Sequence, residues 1–125
     1  MEIGVLGKDD LLISVPLAED AEITLRYVSR EELREITKKA TKITWNRKHE
    51  PKEEFDPVQA DLLLGRAAVR GWKGLTMEGE EFPYSPENCD LLMRKWTEFA
   101  RFVSETCMDL QRLQEEEKKR RLGNS

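Results

Sequence analysis

The sequence predicts an α+β fold: an N-terminal antiparallel β-hairpin followed by a mostly helical layer that ends in a long C-terminal helix. Three observations lead there. Apolar residues alternate with a period of two between residues 11 and 28. From Leu33 onward they recur mainly at three- and four-residue steps. Serine, aspartate and proline stand where one pattern gives way to the next.

In LLISVPL, residues 11–17, Leu11, Ile13, Val15 and Leu17 share one face. In EITLRYV, residues 22–28, Ile23, Leu25 and Tyr27 oppose Glu22, Thr24 and Arg26. Both runs read as half-buried strands, and Ala18-Glu19-Asp20 joins them as a hairpin. Pro16 lacks a ladder donor, which suits an edge strand. Ile3 and Val5 suggest a third short strand.

Ser29-Arg30-Glu31-Glu32 has the form of a capping box, in which hydroxyl and carboxylate satisfy free amides reciprocally. Leu33, Ile36, Ala40 and Ile43 follow at helical spacing and predict an amphipathic helix of about four turns. The polar stretch NRKHEPKEEFD, residues 46–56, reads as an exposed connection. Asp56-Pro57 then starts a helix, with the aspartate as N-cap and the proline in the first turn. Its buried face is predicted to hold Val58, Leu62, Leu63, Ala67, Ala68 and Val69, and Gly71 ends it.

GWKGLTMEGEEFPY carries three glycines and a proline and reads as a loop pinned by aromatic rings. Ser85-Pro86-Glu87-Asn88 opens the last helical stretch. Leu92, Trp96, Phe99, Val103, Thr106, Leu110 and Leu113 recur along it, as one long helix or as two with a kink near Arg94–Trp96. The tail QEEEKKRRLGNS reads as a frayed helix end followed by disorder. The expected organisation is a single domain over 1–114 and a charged tail over 115–125.

Composition limits the function classes. Hydrophobic residues make up 38% of the chain, enough for one core, and charged residues make up 37%, which implies exposed helices. A net charge of −4 argues against a main task of binding nucleic-acid phosphates. No apolar run approaches the ~18 residues of a membrane span, and no signal peptide is visible, so a cytoplasmic protein is expected. Cys89 and Cys107 then read as reduced core residues.

Catalytic chemistry finds little to work with. His49 is the single histidine and lies in a charged loop without a positioned partner. The cysteines lack zinc-ligand spacing and a histidine for a thiolate pair. No glycine-rich phosphate loop or nucleophile elbow occurs. A non-enzyme with no cofactor and no metal is the expectation.

Two surfaces are candidates for binding. The basic stretch Arg34, Lys38, Lys42, Trp45 and Arg47 would let lysines track phosphates while an indole stacks on a base. Against this, the same residues suit the solvent side of a helix with Trp45 folded onto the core. The last helix offers Trp96, Phe99, Phe102, Val103 and Leu110, either as core or as an apolar stripe that outruns its domain and takes a partner helix or a second copy.

The order LLISVPL, AEITLRYVSREE, AAVRGWKGL, a short acidic turn with Gly79, and FPYSPENCDLL before an aromatic-rich helix resembles the tail assembly chaperones of long-tailed bacteriophages and prophages. The resemblance covers roughly residues 11–105 and is most specific from Val69 to Leu92. It implies a non-catalytic role in virion assembly in the host cytoplasm. Such a protein would coat the tape measure protein and help tail-tube subunits gather around it; self-association is expected from the apolar stripe of the last helix. The resemblance also implies a second, frameshifted form, and Glu117-Lys118-Lys119 is a triplet that an adenine-rich slippery run could encode. Gly71-Trp72 and Gly74-Leu75 would close the helical layer. The segment 46–56 has no counterpart in the resemblance.

Overall fold

The computed structural model describes residues 12–123, with backbone only at 117, 118 and 120–123. Leu11 and the short strand suggested by Ile3 and Val5 lie outside the described residues. β1 (Leu12–Ala18) and β2 (Ala21–Arg26) form the expected antiparallel hairpin, with Val15 opposite Ile23 and a register shift between Pro16 and Ala18. Among the described residues β1 is an edge strand, and Pro16 on it lacks a donor that no described neighbour on that side would take.

Among the described residues a third strand joins this sheet. The helix after Pro57 ends at Ala68, and Val69, which the helical reading placed on its buried face, takes an extended conformation at φ −80°. β5 (Val69–Lys73) then pairs with β2, giving the order β1-β2-β5. Thr24 faces Gly71 and Leu25 faces Val69, so Arg70 is the extra residue of a bulge. The central strand is the most deeply buried: Ile23 and Leu25 are fully enclosed.

Arg26 corrects the alternation reading, which turned it toward solvent. It is buried, and among the described residues its guanidinium meets three acceptor groups. Nε donates to Ala67 O at 3.0 Å, Nη1 to Tyr27 O at 3.1 Å, and both terminal nitrogens donate to the Glu32 carboxylate. That pairing offsets the cost of removing the charge from water. The hydrogen bonds from Arg26 also hold the Glu32 carboxyl below the usual glutamate range.

α1 (Arg30–Lys39) starts at the predicted capping box: Glu32 N donates to the Ser29 hydroxyl at 3.1 Å and Glu32 Oε1 accepts from Ser29 N. The helix is shorter than its apolar spacing suggests. From Thr41 the chain is extended, and β3 (Thr41–Trp45) pairs with β4 (Pro51–Phe55) in a separate two-stranded sheet. TKITW is rich in β-branched and aromatic residues, which favour a pleated strand over a helical turn. The expected exposed connection 46–56 is therefore a turn plus a strand. Asn46 Oδ1 accepts from Lys48 N at 2.8 Å and Glu50 N at 2.9 Å, and His49 sits at φ +60°. His49 is a turn residue, held in a left-handed conformation that histidine tolerates better than most.

α2 (Pro57–Ala68) is capped by Asp56, which accepts from Val58 N and Gln59 N. β6 (Thr76–Met77) and β7 (Glu80–Glu81) flank a two-residue turn, Glu78-Gly79, with both φ angles positive. The last stretch is two helices, α3 (Pro86–Lys95) and α4 (Thr97–Gly123), separated at Trp96. In backbone, α4 continues helical through the charged tail to Gly123. α2, α3 and α4 pack over the sheet, with Leu62, Leu64, Cys89, Met93, Phe99, Val103 and Cys107 in one core. α2 and α3 approach closely at Gly65, where a Cβ would lie 2.6 Å from Met93 Cγ.

Candidate partner-binding surfaces

The aromatic segment between β5 and α3 is locked from several sides. Trp72 Nε1 donates to Phe82 O at 2.7 Å, and its ring lies parallel to Phe82 at 6.0 Å. Tyr84 meets the indole edge-on at 5.1 Å and donates its hydroxyl to Val69 O at 3.1 Å. Phe99 closes the far side at 5.8 Å, also edge-on. Such edge contacts suit the ring quadrupoles and add to the area each ring buries. Gly74, at φ +86°, passes so close to the β1–β2 turn that a Cβ would sit 1.9 Å from Asp20 O. Only glycine fits there.

This locked segment forms one wall of an apolar cleft of about 480 Å³. Leu75, Met77 and Phe82 line that wall, while Leu91, Leu92 and Trp96 line the opposite one, with Lys95 at the polar margin. Met77, Leu91 and Trp96 are all substantially solvent-exposed. Glu78, Glu80 and Glu81 stand exposed on the adjoining β6–β7 turn. The cleft therefore combines an apolar floor with charges of both signs on its margins, the arrangement that an amphipathic helix can occupy.

The predicted α4 stripe divides. Phe99 is 1% exposed and Val103 0%, so both are core residues and present no docking surface. The α2 and α3 helices cover the face that the apolar spacing had left open to a partner. Phe102 and Leu110 are half-buried, with Phe102 packed against the core. Trp96 alone of the five reaches the cleft: it is 39% exposed and stacks on Phe99 at 5.6 Å. Leu75, Met77, Phe82 and Leu91 escaped the sequence reading. They sit on different elements, and only the glycine-rich aromatic loop signalled that an ordered wall would form there.

The basic candidates are all exposed, but they do not share one surface. Arg34 and Lys38 lie one turn apart on α1. On the hairpin, Thr41, Ile43 and Trp45 project to one side, and Lys42 projects to the other, directly across from Glu54. Trp45 does not fold onto the core; it is 65% exposed. Arg47 belongs to the turn beyond it. The indole and the lysine thus look in opposite directions.

Both thiols are free and buried, and burial pushes each up to about 11. They are protonated at neutral pH and so lack the thiolate that nucleophilic chemistry uses. Among the described residues, no group of three or more His, Cys, Asp and Glu gathers where it could hold a metal ion, and no helix is long and apolar enough to cross a membrane.

Fold and surfaces together describe a small α+β protein with an aromatic-walled cleft. The family model of the YdaY prophage protein matches residues 22–124, and the chain belongs to that family. It is a prophage protein, which agrees with the phage and prophage setting that the resemblance implies. No curated protein and no solved structure matches it.

Proposed function

We propose that this prophage protein is a non-catalytic tail assembly chaperone that binds a tape measure protein and promotes tail-tube assembly. The observation that supports the reading best is the cleft between Leu75–Phe82 and Leu91–Trp96, whose exposed Met77, Leu91 and Trp96 match the apolar stripe of an amphipathic helix. Tape measure proteins are long and helical, and methionine and aromatic side chains adapt to many such stripes. The cleft takes the place of the α4 stripe as the docking surface.

The test is co-expression with tape-measure segments from the same prophage, followed by co-purification. Leu91→Asp and Met77→Asp change exposed positions and should leave the fold intact. Loss of co-purification in both, with unchanged thermal melting, supports the reading; retention of the segment by both variants refutes it. A second reading, a nucleic-acid-binding or regulatory adaptor using Arg34, Lys38, Lys42, Trp45 and Arg47, draws on the exposed indole of Trp45. Its signature is a gel shift that weakens steeply with salt. The split of Trp45 and Lys42 between opposite hairpin faces counts against it.

A further inference from the structure

The β3–β4 hairpin stands apart from the main sheet, and among the described residues no other strand pairs with either of its strands. Ile43, Trp45 and Phe55 are 61%, 65% and 52% exposed on it. A two-stranded ribbon with an open apolar face is marginal in water by itself. Its hydrogen-bond register shows which groups remain available. Asn46 N donates to Glu50 O and Asp56 N to Ala40 O, so the even-numbered residues of β3 form the bonded pairs with β4. The N–H and C=O groups of Thr41, Ile43 and Trp45 therefore point away from β4. On β4, the outward groups belong to Pro51, Glu53 and Phe55.

The two edges are not equivalent. On β4, Pro51 has no N–H to give, and a symmetric pairing would set Glu53 against its own copy. On β3 all three outward residues carry both donor and acceptor, and they are centred on Ile43. A second β3 running antiparallel sets Ile43 opposite the partner's Ile43 and Thr41 opposite the partner's Trp45. Every outward amide and carbonyl of the strand is then paired. On the other face, Lys42 meets the partner's Thr44, and no like charges stand opposite each other. Opposed residues project to the same side, so the apolar faces of both hairpins join into one surface.

We infer that β3 is a self-association edge: two copies of this chain pair antiparallel through Thr41–Trp45, about a two-fold axis at Ile43. The occupant is a second copy, because the edge is complementary to itself in hydrogen bonding and in charge. The inference does not depend on the tape-measure reading, and the isolated protein tests it.

Sedimentation of the purified chain should give twice the 14.6 kDa mass of one copy. Ile43→Lys puts two ammonium groups face to face on the axis and should halve that mass while the chain stays folded by circular dichroism, since Ile43 is exposed in the single copy. Ile43→Cys should cross-link in high yield with a short bis-maleimide. Thr41→Cys should not, because its two copies would lie about 14 Å apart at ~3.4 Å per residue. The native thiols are buried and serve as the unreactive background. A monomer at all concentrations, a dimer that survives Ile43→Lys, or equal cross-linking at positions 41 and 43 would each overturn the proposal.

Discussion

Trp72 and Trp45 show what two regions of one small chain can do with the same side chain. Trp72 is 8% exposed, boxed by Phe82, Tyr84 and Phe99, with its indole N–H satisfied. Trp45 lies on a two-stranded ribbon and is left to solvent. The difference comes from layering. Among the described residues each strand pairs with one neighbour, but the inner face of β5 is covered by helices, whereas the face of β3 that carries Trp45 is open to solvent. Local composition makes a strand in both places; only the covered one contributes to the core.

The largest test of that contrast is truncation of each ring. Trp72→Ala should cost about 3–5 kcal/mol, as loss of a buried aromatic does, and Trp45→Ala should stay within about 0.5 kcal/mol. Chemical denaturation measures both; similar costs would mean the hairpin packs in solution.

Next comes alkaline pH. Cys89 and Cys107 are held up at about 11 by burial, against an ordinary value of 9.0. A group whose folded value is raised contributes stability that is whole below the unfolded value and is lost as pH rises through the folded one. Stability should therefore fall between about pH 9 and 11, by up to about 2–3 kcal/mol per thiol. The loss should shrink in steps in Cys107→Ala and in the double variant Cys89→Ala/Cys107→Ala. Thiols on the hairpin would show no such fall.

The smallest effect belongs to the hairpin turn. His49→Gly relieves a left-handed residue and should leave stability within about 1 kcal/mol of the parent, on the favourable side, because chain entropy offsets part of the gain. A melting temperature lowered by several degrees would show that the imidazole makes contacts of its own.

Helix starts were legible because they are local. Ser29, Asp56 and Ser85 cap from their own side chains within three residues, and all three were read from the sequence. β3 was hidden because Ile43 satisfies both a helical step from Ala40 and an alternation with Thr41 and Trp45. Its strand state depends on a partner across the turn. The cleft was half legible. Trp96 stood out in the apolar pattern, while Met77 and Leu91 share a surface only once α3 has packed beside β6. Phe99 and Val103 show why a stripe is ambiguous: its spacing is the same whether a neighbouring helix of the same chain or a partner covers it.

The Arg26–Glu32 pair has a consequence for how the molecule opens. α1 buries no residue completely: that pair ties it to the sheet, Leu33 and Ile36 pack in part against the core, and an exposed bridge from Arg30 to Glu115 ties it to α4. Residues 30–55 can thus detach while β1-β2-β5 and the remaining helices stay folded. Amide hydrogens in α1 and in the β3–β4 ribbon should exchange through this partial opening, ahead of those in β2 and the core face of α4. Pairing of β3 with a second copy would slow exchange at Thr41, Ile43 and Trp45, the three amides that the free hairpin leaves bare.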